Sequence, residues 1–148
     1  VLSPAALSAD EISTQVPILM YHHLSEDVTN SEMVSPEQFE AQIRALSEAG
    51  YTGVSFDELQ AYVLRGEPLP EKPVVITFDD GYRSNYTLAY PILQKYGMKA
   101  TIFAIGVSFG TDHYKDTDYA ITPHFGAAEA AETVLRAAIA RRCDRYRT

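Results

Sequence analysis

A single cysteine, Cys143, stands in 148 residues, which excludes an internal disulfide and any thiolate cluster around a metal. Basic residues are also few: 12 Lys and Arg against 20 Asp and Glu leave a net charge of −8. That deficit argues against nucleic acid or an anionic membrane as partner, since both require phosphates to be neutralised. No apolar run approaches the ~18 residues of a transmembrane segment. Residues 1–9 are small and apolar but lack the basic stretch of a leader peptide, so they read at most as a remnant of one. A chain opening on Val1 rather than Met is expected to be processed, trimmed or a fragment.

What is present is ordinary globular material. Hydrophobic residues make up 46% and charged residues 22%, which argues against disorder. A chain of this length buries about two-thirds of its unfolded surface around one core. The charge is uneven. Residues 126–148 hold five arginines against three acids, whereas the rest of the chain is strongly acidic. A compositional break near residue 125 follows.

Hydrophobic period and turn chemistry give an order of elements. Pro17–His23 reads as a short buried strand ending in polar residues. Ser35-Pro36-Glu37-Gln38 is a helix start, with Ser as N-cap, Pro at the first position and Gln closing a capping box. Phe39, Ile43 and Leu46 then share one helical face until Gly50. Thr52–Phe56 predicts a second strand, and Asp57 a cap for a short helix ending at Gly66. Val74–Phe78 is β-branched and apolar throughout, as suits a strand covered on both faces. A helix from about Asn85 to Tyr96 is expected to kink or restart at Pro91, and Ala100–Ile105 predicts a fourth strand. An alanine-rich helix is expected over Ala127–Ala140. Strands alternating with helices predict an α/β fold with parallel strands.

The chemistry concentrates at Thr77-Phe78-Asp79-Asp80-Gly81-Tyr82. Packing needs no pair of aspartates here, and adjacent strand residues face opposite ways. At the strand's C-terminal end, with Gly81 turning the backbone, both carboxylates can reach one cavity. In parallel α/β folds that end is where catalysis sits. The pattern suggests a metal ligand beside a general base.

This run resembles the first signature of the polysaccharide deacetylases, the NodB-homology carbohydrate esterases. Pro17–His22 resembles their opening strand, and Pro91–Phe103 the helix and strand after the signature; the likeness runs from about residue 16 to 125. It implies the N-terminal portion of a deformed (β/α) barrel, incomplete here, after an extension over 1–15 and before an atypical Ala/Arg-rich helical tail over 126–148. It further implies a metal-dependent deacetylase acting on N-acetyl or O-acetyl groups of a glycan, in a secreted or cell-envelope location. Asp79 maps onto the general base and Asp80 onto a ligand of a divalent metal, usually zinc. His22 is carried over as an auxiliary site residue, with a histidine bonded to backbone or another side chain as the alternative. Tyr82 and Arg83 are candidate substrate contacts or exposed turn residues. The implied partner is an N-acetylated polysaccharide or oligosaccharide.

One feature of the family is missing. Its second signature is a pair of histidines four or five residues apart that completes the metal site. The remaining histidines, His113 and His124, are eleven apart. A catalytically inactive fragment or pseudoenzyme with weak glycan binding is therefore the alternative reading. A shifted reading frame after about Glu132 or a natural truncation would each account for the tail. A phosphatase of the haloacid dehalogenase type needs Asp-x-Asp, which Asp79-Asp80-Gly81 does not provide. A partial barrel is also expected to expose sheet edges and to self-associate through them.

Overall fold

A computed structural model of the chain describes residues 15–113 and 122–134. At its centre is β5 (Pro73–Asp80), a parallel strand flanked on both edges. Strand β1 (Ile18–Tyr21) runs along one edge, pairing Ile18 with Val75 through Tyr21 with Phe78. The other edge is shared. Strand β4 (Thr52–Val54) pairs with Pro73–Val75, and β6 (Thr101–Ala104) with Thr77–Asp80. Two short strands, β2 (His23–Leu24) and β3 (Met33–Val34), form a separate parallel pair.

The helices begin where local chemistry allows. Helix α1 (Pro36–Glu48) is capped by Ser35, whose Oγ accepts the Gln38 N–H while the Gln38 side chain accepts the Ser35 N–H. Helix α2 (Phe56–Arg65) has the same capping box made by Ser55 and Glu58, and ends at left-handed Gly66. The cap is thus Ser55 rather than Asp57, and the preceding strand stops at Val54. Residues Asn85–Ala89 form a π-helical turn, followed by α3 (Tyr90–Lys95) with Pro91 in its first turn. Proline there restarts the helix, since its missing N–H is one that a first turn leaves unpaired anyway. Helix α4 (Ala127–Val134) covers the start of the alanine-rich stretch; the rest of that stretch lies outside the described residues.

Period-two alternation divides β5 between two environments. Val74, Ile76 and Phe78 join the main core with Phe39 and Ile43 of α1 and Leu93 of α3. Tyr21, Phe39 and Phe78 pack as a ring cluster, with centroids 5.0 Å apart for Tyr21–Phe39 and 5.6 Å for Phe39–Phe78. Burying each large apolar side chain there contributes roughly 1.5–3 kcal/mol. On the opposite face Val75 and Thr77 are buried along the central strand, but the flanking strands leave it open. Ile18 and Met20 of β1 and Phe103 of β6 are 51%, 63% and 45% exposed. Thr77 and Asp79 lie on that face with them.

Candidate active site

The open face of the sheet holds a cleft of about 530 Å³, bounded by Ile18, Met20, Thr77, Phe103 and both carboxylates, Asp79 and Asp80. Strand alternation brings Asp79 to this face directly. Asp80 is in the register of Val74, Ile76 and Phe78, which would aim it into the core. Its backbone is instead left-handed, with φ 68°. Aspartate tolerates that region better than most residues, though at a cost of order 1–3 kcal/mol. The turn therefore starts at Asp80, one residue before Gly81, and both carboxylates border one cleft.

Gly81 follows with φ 75°, and no side chain fits in its place: a Cβ there would lie 2.8 Å from Phe125 Cε1 and 3.0 Å from Ala104 Cβ. Residues 122–125 strap the turn from outside. Phe125 N–H donates to Gly81 O at 3.1 Å and Arg83 N–H to Pro123 O at 2.8 Å, while Tyr82 and His124 form an antiparallel bridge. The strap is held in turn by the loop after β6, through His124 N–H to Thr111 O at 2.9 Å and Gly110 N–H to Phe125 O at 3.0 Å. Leu24 N–H donates to Ser84 Oγ at 3.1 Å, tying β2 to the same segment.

Among the residues singled out in the sequence, Asp79 and Asp80 come together. His22 sits between β1 and β2, partly exposed, and does not line the cleft. Arg83 is paired with Glu129, Nε to Oε1 3.4 Å. The Tyr82 ring packs against two imidazoles, 4.8 Å from His23 and 5.0 Å from His124 by centroid. His23 and His124 carry no spacing signal, because their common neighbour lies far from both in the chain. Burial pushes both imidazoles below the ordinary histidine value. The His124 charge lowers His23 further, whereas a backbone hydrogen bond at Thr122 and the Asp80 carboxylate partly offset the effect on His124.

A resident zinc ion takes about three or four protein ligands. Among the described residues no group of three or more His, Cys, Asp or Glu is gathered where it could hold a metal ion. The two carboxylates alone do not make up a metal centre. What they offer chemically is a paired acceptor at the mouth of an apolar cleft, suited to taking a proton or to holding one side of a cation.

Comparison with known proteins bears on the family and the fold. Residues 66–138 match the family model described as polysaccharide deacetylase. The chain is 46% identical over 104 residues to YxkH of Bacillus subtilis strain 168, whose name places it among the polysaccharide deacetylases; the match covers 70% of this chain and 37% of that protein. It is 34% identical over 116 residues to the poly-beta-1,6-N-acetyl-D-glucosamine N-deacetylase of Escherichia coli K12, covering 70% of this chain and 17% of that protein. Among solved structures, the Streptococcus pyogenes deacetylase PplD in complex with acetate superposes with a TM-score of 0.67 at 28% identity, over 85% of this chain and 54% of PplD. The chain thus spans about half of that structure and a smaller share of the two curated relatives. These matches place the stretch from residue 66 to 138, which carries the paired aspartates at the end of a central parallel strand, in the polysaccharide deacetylase family.

Proposed function

We propose that this chain carries the base-bearing part of an active site that hydrolyses acetyl groups, N-acetyl first among them, on a cell-surface or extracellular glycan. The observation that carries the reading is the meeting of Asp79 and Asp80 in one cleft, brought about by the left-handed backbone of Asp80. Asp79 acts as general base. A water held against its carboxylate gives up a proton as the water oxygen bonds to the acetamide carbonyl carbon. The C–N bond then breaks, the sugar nitrogen takes a proton and leaves as an amine, and acetate is released. Asp80 is assigned as the ligand this chain contributes toward a divalent cation, zinc being the first to test, with further ligands outside the described residues.

An N-acetylglucosamine polymer is the first substrate to try, given the name of the Escherichia coli relative. Such a substrate implies a secreted or envelope location. No helix among the described residues is long and apolar enough to cross a membrane. The exposed Ile18, Met20 and Phe103 favour self-association across the open face. A second reading, a catalytically inactive fragment with weak glycan binding, is favoured by the lack, among the described residues, of any group of three metal-ligating side chains gathered to hold an ion.

Acetate release from an N-acetylglucosamine pentamer, with zinc stoichiometry measured on the same sample of the 148-residue chain, separates the two. The deacetylase reading expects release that falls by about 10²–10⁴-fold in Asp79→Asn. Release no greater than in Asp79→Asn, with or without added zinc, establishes the inactive reading instead.

A further inference from the structure

Tyr82 is outside the cleft, yet its hydroxyl donates to Asp80 Oδ2 across 3.4 Å. That contact is long, so the hydroxyl alone would be a weak restraint. What gives it a fixed position is the ring behind it. His23 covers one side with planes 22° apart, and His124 lies against the ring with planes 32° apart. Neither imidazole is free to drift. His23 opens β2, which is tied to the turn through Leu24 and Ser84, and His124 is the middle of the strap, bonded to the loop at Thr111. Three separate segments therefore meet on one phenol.

The Asp80 side chain needs such a restraint. A short carboxylate on a half-buried turn still has several staggered rotamers open to it, and only some of them face the cleft. We propose that Tyr82 is a positioning residue for Asp80: with its ring packed against His23 and His124, its hydroxyl engages Oδ2, selects one rotamer, and leaves Oδ1 for what the cleft receives. This deepens the reading of Asp80 as a working carboxylate of the deacetylase site and rests on it. It also gives Tyr82 a task other than substrate contact. A glycan need not reach the ring for its hydroxyl to matter.

The test is nuclear magnetic resonance on the full 148-residue chain, isotope-labelled and treated with chelator, reading the two Hα–Hβ couplings of Asp80. In the wild type they are expected to lie away from the averaged values, one large and one small or both small, the marks of one rotamer. Tyr82→Phe keeps the ring against the imidazoles and removes only the hydroxyl. It is expected to move both couplings to the intermediate, averaged values while the ring-proton shifts of His23 and His124 stay in place. A Tyr82 that merely fills space would leave Asp80 unmoved. Couplings that stay at their wild-type values in Tyr82→Phe overturn the proposal, as do couplings already averaged in the wild type. Should Tyr82→Phe lose the dispersed β5 amide signals, His23→Ala is read in the same way: it keeps the hydroxyl and removes one wall of its seat, and unchanged couplings there overturn the proposal too. The readout is metal-free and needs no turnover. Absence of acetate release would sink the deacetylase reading while leaving these couplings as they are, so the two failures are told apart.

Discussion

Replacing Gly81 by alanine probes the contact between the carboxylate turn and its strap. Two costs add at this position. The backbone, at φ 75°, lies where an L side chain is disfavoured, by about 1–2 kcal/mol. The new methyl carbon would also stand 2.8 Å from Phe125 Cε1 and 3.1 Å from Ala104 Cα. Phe125 is only 3% exposed and bridges two segments by hydrogen bonds, so it has little room to retreat. Overpacking of this kind costs about 1–3 kcal/mol, giving a total of about 2–5 kcal/mol. Gly97 supplies the control. Its φ is 65°, and nothing lies within 4 Å of an added Cβ, so Gly97→Ala should lose only the backbone part, about 1–2 kcal/mol. Urea unfolding followed by far-ultraviolet circular dichroism reads both variants, with the denaturant slope checked for constancy. Equal losses, within about 0.5 kcal/mol, would refute the reasoning. They would mean that residues 122–125 do not press on the turn and that the strap contributes nothing to holding it.

Three further outcomes are expected. Phe39→Ala, at a fully buried side chain against Tyr21 and Phe78, should cost about 3–5 kcal/mol; a midpoint near wild type in the same urea assay would show that the helices do not hold the sheet through this ring. Asp80→Gly and Asp80→Ala both lose the carboxylate, but only glycine relieves the left-handed backbone, so the glycine variant should be the more stable by about 1 kcal/mol, against the usual disadvantage of glycine; thermal melts that rank alanine higher contradict the strain. His23 and His124 are both held below the ordinary value of 6.5, so the unfolded chain binds more protons than the fold just below that pH. Their contribution to stability should be complete above 6.5 and be lost as pH falls from there through the folded values. Urea midpoints flat across that window, or rising on acidification after Asp and Glu effects are matched in a His23→Gln, His124→Gln variant, would count against buried neutral imidazoles.

Much of the fold was legible because its signals are local. Ser35 and Gln38 satisfy each other's backbone within one turn, so the start of α1 can be read from four residues. The start of α2 carries the same signature in Ser55 and Glu58, but the β-favouring run through Phe56 concealed it and shifted the expected cap to Asp57. Pro91 could be read as a restart; the π-helical turn before it could not, because the residues of that turn have no period that distinguishes it from α-helix. The pair β2–β3 has two residues in each strand, too few for alternation to register. The site divides along the same line. Asp79 and Asp80 are adjacent and end an apolar strand, so one window contains the whole signal. The cluster of His23, Tyr82 and His124 joins residues about a hundred positions apart, and only the fold brings them together.

The register of β5 explains why the cleft needs a strained residue at all. A strand that buries Val74, Ile76 and Phe78 against helices must turn Thr77 and Asp79 to the other side, and by the same rule must send residue 80 back to the core. A second carboxylate can join the first only if the strand breaks its own alternation. The break occurs at Asp80 itself, in a left-handed conformation, while β6 still pairs with it through Ala104. Ending the strand a residue earlier would free the backbone but forfeit that pairing and the fixed position of the turn. Gly81 then accepts Phe125 where no side chain could, and Tyr82 reaches back to the displaced carboxylate. Strain at one residue, space at the next and a braced ring at the third are thus consequences of one requirement: two adjacent acids on the same side of a strand.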